Sequence, residues 1–467
     1  MNMRVKKASA LSTQEVDWKS FYHGVFLLVI PMAIQNLINV GVSAADVIML
    51  GRVGEKVLSG ASLAGQVQFV MTLIFYGITS GITVMTAQYW GKGDTRTIEK
   101  ILGIGLVSGV FAGTIFTVAA LVMPENLMRI FTTDSVVIAE GVKYLRIIAC
   151  SYILMAITQV YLNVMRSIER VVVATVVYTS SLGVNVLINA LLIFGLCGFP
   201  KMGIQGAAIG TLIARLVETL IVFFYALKMN RVVRIRWKDC IHFDKILLRD
   251  YMIYAMPVII NEMMWGLGFS TNSAIIGHLG SAAVAANAVA QVARQLSTVI
   301  VFGISNATAI YLGKTIGEKK YEHAKLYGAK FLKLSLITGL IAGVCILIAA
   351  PIANANLVLS VRAKEYLQFM FFVMSYFTVS QSINSTLIVG VFRSGGDIKF
   401  ALVVDTVIMW CGSITIGAIA AFVFHCNVHI VYVILMSDEV LKLPITIKRF
   451  FSYKWLKNVT REIEYKE

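Results

Sequence analysis

The sequence predicts an all-α integral membrane protein: twelve transmembrane helices in two parallel six-helix bundles, related by a pseudo-two-fold axis along the membrane normal. Three observations carry this. Hydrophobic residues make up 58% of 467 and charged residues 14%, with a mean hydropathy of +0.79, more apolar than a water-exposed surface sustains. Apolar stretches long enough to cross a bilayer recur along the chain. The two halves of the chain also match each other at an offset of 226 residues.

Runs of about 20 apolar residues with few charges mark the spans. The first six lie near 22–48, 57–88, 98–122, 137–165, 171–196 and 205–227. The second six lie near 251–277, 282–313, 326–350, 364–391, 400–424 and 430–447. An even number of spans puts both termini on one side. Most of the 41 Lys and Arg fall in the termini and the loops sharing their side, seven of them in Lys228–Arg249. Cytoplasmic loops retain such residues, so both termini are expected in the cytoplasm and the chain in the inner (plasma) membrane. The net charge of +16 is spread over these short loops rather than gathered in one domain. Topology and anionic lipid explain that pattern, and no nucleic-acid partner is expected. The first 20 residues carry Arg4, Lys6, Lys7, Glu15, Asp17 and Lys19 without an apolar core, so no cleavable signal peptide is expected. The cysteines Cys150, Cys197, Cys240, Cys345, Cys411 and Cys426 lack paired spacing, and no disulfide framework is expected.

At offset 226, Pro31 meets Pro257, and Gly51, Gly54, Gly77 and Gly91 meet Gly277, Gly280, Gly303 and Gly317. At offset 227, Pro124 meets Pro351 and "VMRS" (164–167) meets "VFRS" (391–394). Proline inside a helix is costly enough that such coincidences point to duplication. The halves are expected to be 1–235 and 236–467, joined by a cytoplasmic loop at about 228–250. Each half has an even number of spans, so the repeats must be parallel; transporters of this plan bind cargo between the halves and rock to alternate access. Pro31 and Pro257 bend the first span of each half, as fixed kinks or as hinges. Gly105, Gly109 and Gly113, and Gly339 and Gly343, recur every fourth residue as in closely packed membrane helices.

Several local signatures accompany this plan: "ADVIMLGRVG" (45–54), "GITSGITVMTAQYWGKGD" (77–94), "GFPKMGIQGAAIGT" (198–211), "AMPVIINEMMW" (255–265) and "VFRSGGD" (391–397). Across essentially its whole length the chain resembles the bacterial branch of the multidrug and toxic compound extrusion (MATE) transporters. The resemblance implies efflux of organic, often cationic compounds in exchange for entering Na⁺ or H⁺, by a protein expected to act as a monomer without a cofactor. In members that bind a cation in the first half, an acid in span 1 joins an Asn and an acid four residues apart in span 5 and a Thr in span 6. The matching residues are Asp46, Asn185, Asn189 and Thr211, which makes them candidates for a Na⁺ or proton site. Asn189 departs from the acid of that pattern, which leaves one formal charge instead of two. Spacing by four places both asparagines on one helix face, and all four side chains offer oxygen, as a hard cation requires. The alternative is that the amides join helices.

Ionisable residues inside a membrane are functional candidates until a structural partner is found. Glu262 lies about 13 residues into span 7, roughly 18 Å deep at 1.5 Å per residue. Desolvation there drives a carboxylate towards its neutral form, so a proton and a cationic guest compete for it. Asp46 aligns with Asn272 and Glu262 with Asn36, one acid and one amide per half in opposite assignment. Asn36, Asn272, Asn261, Trp265 and Asp405 are expected to line the substrate cavity. Arg215 and Glu218 read as an ion pair within span 6. Arg294 has no evident partner, and Asp405, Asp438, Glu439 and Lys442 either line a vestibule or pair internally. In the turn at Asp397 the first half has Glu169 and Arg170 where glycine and aspartate would stand.

Three other classes are disfavoured. A flippase for lipid-linked sugars needs basic residues in its cavity, whereas Asp46 and Glu262 are acidic. An enzyme finds no HExxH, GxSxG or Walker motif, and His425, Cys426 and His429 sit in a short outer loop without an acid. A receptor or purely structural protein has no use for buried acids in a doubled bundle.

Overall fold

Asp17 accepts hydrogen bonds from the backbone N–H groups of Lys19 (3.0 Å) and Ser20 (3.1 Å), capping the first helix. Asp244, at the equivalent place in the second half, caps the seventh through Ile246 (3.0 Å). These caps open the two halves in a computed structural model that describes residues 17–241, 243–356 and 360–462. Arg4, Lys6, Lys7 and Glu15 lie outside those residues.

Twelve helical spans follow in order. The first six are α1 (Trp18–Gly51), α2 (Glu55–Lys92), α3 (Thr95–Val122), α4 (Ser135–Ile148 continued by Ser151–Ser167), α5 (Val171–Phe194) and α6 (Ile204–Phe224, ending in a π turn at Tyr225–Met229). The second six are α7 (Lys245–His278), α8 (Ser281–Ser297 and Val299–Gly317), α9 (Tyr321–Asn356), α10 (Val361–Ser385 running on through Thr386–Phe392), α11 (Ile398–Phe422, with a π segment at Ile408–Ile414) and α12 (Val428–Leu435 and Asp438–Phe451). Among the described residues, nine of these are apolar and long enough to cross a bilayer, α8 through Val299–Gly317 after its break at Thr298, and α4 is a tenth with a 52° bend. The other two carry the polar load: α10 holds Gln381 and Asn384, and α12 holds Asp438, Glu439 and Lys442.

Small residues set the close approaches. Gly105, Gly109 and Gly113 of α3 face Val160, Ala156 and the Tyr152 carbonyl of α4; Gly339 and Gly343 of α9 face Ser382 and the Ser375 carbonyl of α10. The paired glycines of the repeat do related work between the lobes. A Cβ on Gly91 would lie 2.0 Å from the Lys314 carbonyl oxygen, and one on Gly317 1.9 Å from that of Gln88. Lys314 is the counterpart of Gln88, so α2 and α8 cross reciprocally on the pseudo-axis. Further along, Gly77 packs on Ile259 of α7, and Gly303 on Val29 and Ala33 of α1.

The first helix of each half begins in the other half's core. Phe21, Val25, Leu28 and Met32 of α1 are buried with Ile304, Phe331 and Phe392, and the Phe21 ring stacks on Tyr327 at 4.8 Å. Beyond Pro31, α1 returns to its own half, where Gln35 donates to the Val171 carbonyl (3.1 Å) and Thr175 Oγ1 (2.9 Å) of α5. In α7, Leu247, Tyr251 and Ala255 join the first half's core, whereas Ile275 and Ile276 join the second's. Both crossovers fall at the proline, where the missing N–H loosens the helix.

The ends beside the chain termini are tied across the lobes. Glu169, whose φ of 65° occupies the place of Gly396 at φ 75°, accepts from Lys314 Nζ (2.7 and 2.9 Å) and Trp90 Nε1 (3.2 Å). Gln88 donates to the Ser394 carbonyl (2.7 Å) and accepts from the Val459 N–H (2.7 Å), and Lys92 reaches the Arg461 carbonyl (2.7 Å). Towards the opposite end the lobes diverge. The Val299–Gly317 part of α8 packs on α1 and α2, while Ser281–Ser297 packs mainly on α10 and α9 of its own lobe.

Candidate cargo cleft and coupling sites

The side chains of Asp46, Asn185, Asn189 and Thr211 converge from α1, α5 and α6. Asn189 Nδ2 donates to Asp46 Oδ1 at 2.6 Å and to Asn185 Oδ1 at 3.2 Å, and Asn185 Nδ2 donates to Thr211 Oγ1 at 3.2 Å. Both asparagines and Thr211 are buried. The approach depends on Gly210, since a Cβ there would meet Asn189 Oδ1 at 2.0 Å. That amide oxygen is buried without a hydrogen-bond partner among the described residues. Tyr144 of α4 adds a hydroxyl beside Thr211. Arg215 closes on Glu218 at 2.7 Å one turn further along α6. MATE-like spacing suggested the first four residues; nothing in the sequence pointed to Tyr144.

Glu262 meets a partner that the sequence placed in a loop. Arg393 Nη2 donates to Glu262 Oε1 at 2.8 Å, and its Nη1 lies 3.4 Å from Ser80 Oγ of α2. Arg393 is reached because α10 runs on as a π segment through Phe392, carrying the guanidinium into the bundle. The pair borders the place where the lobes separate: Tyr76 of α2 is 53% exposed and has Tyr178, Arg166 and Glu262 as electrostatic neighbours. Glu262 therefore carries a basic companion, and its surroundings are more basic than the sequence suggested.

The expected lining residues divide. Asn261 is buried next to Glu262, with its Oδ1 unpartnered. Trp265 stacks on Phe269 with centroids 6.0 Å apart and packs against the second lobe's core. Asn272 Oδ1 is also buried without a partner, while Asn36 is half-buried. Asp405 lies in a separate network within the second lobe. Lys442, fully buried, donates to Asp405 (2.5 Å), Asp438 (2.9 Å) and Glu439 (3.3 Å), and Asn384 bonds Glu439 Oε2 at 2.7 Å. These charges thus pair internally. Arg294 finds amides instead of an acid, Gln291 at 2.9 Å and Gln381 at 3.1 Å. His429 packs edge-on against Phe369 at 4.5 Å, and no cluster of three or more His, Cys, Asp or Glu with metal-holding geometry occurs among the described residues.

Two six-helix lobes, a cleft where they part and buried polar clusters inside the bundle define a multi-pass membrane transporter, not an enzyme. The MatE family model matches residues 31–191 and again 257–414, more than half of the chain. This protein belongs to the MatE family of multidrug efflux transporters. It is similar to "Probable multidrug resistance protein NorM" of Thermotoga maritima, 22% identical over 444 residues, covering 93% of this chain and 94% of that one. "Probable multidrug resistance protein YoeA" of Bacillus subtilis is 21% identical, covering 86% and 87%. The fold matches that of a MOP superfamily transporter from Pyrococcus furiosus with a TM-score of 0.82 at 19% identity, over 92% of this chain and 96% of that one.

Proposed function

We propose that this protein is a secondary active antiporter that exports organic, cationic or neutral compounds in exchange for Na⁺ or H⁺. It works as a monomer in the inner membrane, with both termini cytoplasmic, no resident cofactor and its two halves dividing near residue 235. The observation that carries the reading is the Asp46 cluster. A carboxylate in the bundle has a buried amide oxygen, Asn189 Oδ1, with no donor of its own. A lone acid beside unsatisfied oxygen is a place for an entering cation.

Coupling rests on Asp46, with Asn185, Asn189 and Thr211 shaping its surroundings. Glu262 acts from the other lobe by exchanging partners: Arg393 neutralises it in the empty cleft, and a cationic guest displaces Arg393. Asn36, Asn261, Asn272 and Trp265 border the cargo. Asp405 acts indirectly, through Lys442. The tied ends beside the termini and the parted opposite ends support an outward-open arrangement, which reverses when the ties break. Exchange of one entering ion for a monovalent cationic cargo is electroneutral; with a neutral cargo, one ion entering per molecule supplies about 2.3 kcal/mol per 100 mV. That supports a cargo gradient of about 50-fold.

The test is uptake of ethidium into inverted proteoliposomes under an imposed Na⁺ or H⁺ gradient. One of the two drives uptake into liposomes carrying the native protein. Asp46→Asn lowers the gradient-driven component at least tenfold while the protein stays folded. Full gradient-driven uptake by Asp46→Asn refutes coupling at this site.

A further inference from the structure

Arg166 and Arg393 occupy equivalent places in the repeat, the arginines of "VMRS" and "VFRS". Their surroundings differ in one respect. Arg393 is neutralised by Glu262 of α7. The counterpart of Glu262 in α1 is Asn36, an amide. Arg166 accordingly forms no ion pair among the described residues, and its Nε is shielded from solvent without a hydrogen-bond partner. Its guanidinium lies over the Tyr178 ring, 5.7 Å from the centroid, and beside the exposed Tyr76 at the cleft.

A guanidinium that is partly removed from water and lacks a counter-ion lowers its free energy by taking one. Stacking on an aromatic face leaves its edge of N–H donors free, and that edge matches the two oxygens of a carboxylate or phosphate. The exposed Tyr76 supplies an apolar face for the body of the molecule.

We infer that Arg166, held on the buried Tyr178 ring, is an anion-binding subsite of the cleft, receiving the carboxylate or phosphate group of an aromatic or apolar cargo held against Tyr76. The transporter reading is needed only to call the occupant cargo. The second half fills the same position internally, with Glu262. The first half leaves it open to a ligand, so one cleft holds a cation-accepting and an anion-accepting side, and the accepted range extends beyond cations.

Binding of fluorescein, an anionic carboxylate dye, and of ethidium to the purified full-length protein tests this by fluorescence anisotropy in detergent. Arg166→Gln weakens fluorescein roughly 10- to 100-fold, the range of a charge-assisted hydrogen-bonded pair, and tightens ethidium by removing a positive charge. Asn36→Asp restores the carboxylate of the other half and shifts the two dyes in the same opposite directions, which guards against a poorly folded Arg166 variant. Displacement of fluorescein by benzoate identifies a soluble carboxylate as the occupant. Displacement by phosphatidylglycerol alone identifies a lipid headgroup; both results place an anion on Arg166. Absence of fluorescein binding to the native protein, displacement by neither competitor, or joint weakening of both dyes in the variants overturns the inference. Ethidium uptake by the native protein is scored separately, so failure of the antiporter reading is distinguishable.

Discussion

Replacing Gly91 by alanine perturbs one event, the meeting of the lobes beside the termini. The new Cβ would stand 2.0 Å from the Lys314 carbonyl oxygen and 3.0 Å from the Glu318 nitrogen, and real Cβ atoms essentially never come closer than 3.0 Å. Both neighbours are backbone, so no side chain can swing away, and α2 and α8 must separate by about 1 Å in a close-packed interior. Overpacking of this kind costs about 1–3 kcal/mol. The strain exists only where the lobes touch, so it acts against the closed arrangement and not against either lobe. At 1.4 kcal/mol per tenfold, the balance between closed and open ends shifts roughly 5- to 150-fold. Hydrogen exchange reports it: amides of Val84–Gly93 and Leu312–Glu318 exchange faster in Gly91→Ala, by a factor in that range. Gly317→Ala, 1.9 Å from the Gln88 carbonyl oxygen, reproduces the effect from the other side of the axis. Gly41→Ala, which meets nothing within 4 Å, does not. Native exchange in Gly91→Ala, or equal acceleration in Gly41→Ala, refutes closure by this crossing.

Three further outcomes are expected. Asn189→Asp supplies the second acid of the MATE pattern next to Asp46, and raises Na⁺ affinity at least tenfold, read as Na⁺-dependent quenching of intrinsic fluorescence or as Na⁺-driven uptake; no gain refutes an ion site there. Glu262→Gln strands the largely buried Arg393 guanidinium without its carboxylate, destabilising the protein by about 2–4 kcal/mol in thermal unfolding and weakening ethidium binding, whereas the double change Glu262→Gln with Arg393→Gln restores much of the stability. Acid loosens the segment after α12. Burial pushes the Asp397 carboxyl up, but hydrogen bonds from Arg449 (2.7 Å) and Lys457 (2.7 Å) outweigh this and leave it below its ordinary value. A lowered folded value contributes stability that is complete above the ordinary carboxylate range and is lost as pH falls through the folded value. Exchange at residues 455–461 therefore quickens below about pH 4, and Asp397→Asn shows the fast exchange at neutral pH.

Particular residues show what could be read from one dimension. Pro31 and Pro257 were legible as counterparts inside the first helix of each half because proline leaves its mark on its own backbone. Gly105, Gly109 and Gly113 were legible as a packing face because their spacing is local. The Asp46 cluster followed from a resemblance joined to helical spacing, since Asn185 and Asn189 share a face whatever surrounds them. Arg393 was hidden, because its distance from the end of an apolar run says loop, while a π segment carries it into the bundle to Glu262. The network of Lys442, Asp405, Asp438 and Glu439 was readable only as two open alternatives, because α11 and α12 had to be brought together to choose between them. Arg294 gave no hint of Gln381, 87 positions away.

Hydropathy, the repeat and helical spacing act between residues near in the chain, or through the solvent that all of them share; they determined the lipid environment, the span order, the doubled plan and the residue types available for coupling. Charge partners and cleft shape depend on which helices touch. Only the tertiary structure decided that Glu262 would be neutralised and Arg166 left without a counter-ion among the described residues, because an ion pair is set by separations of a few ångströms between spans that sequence spacing leaves free.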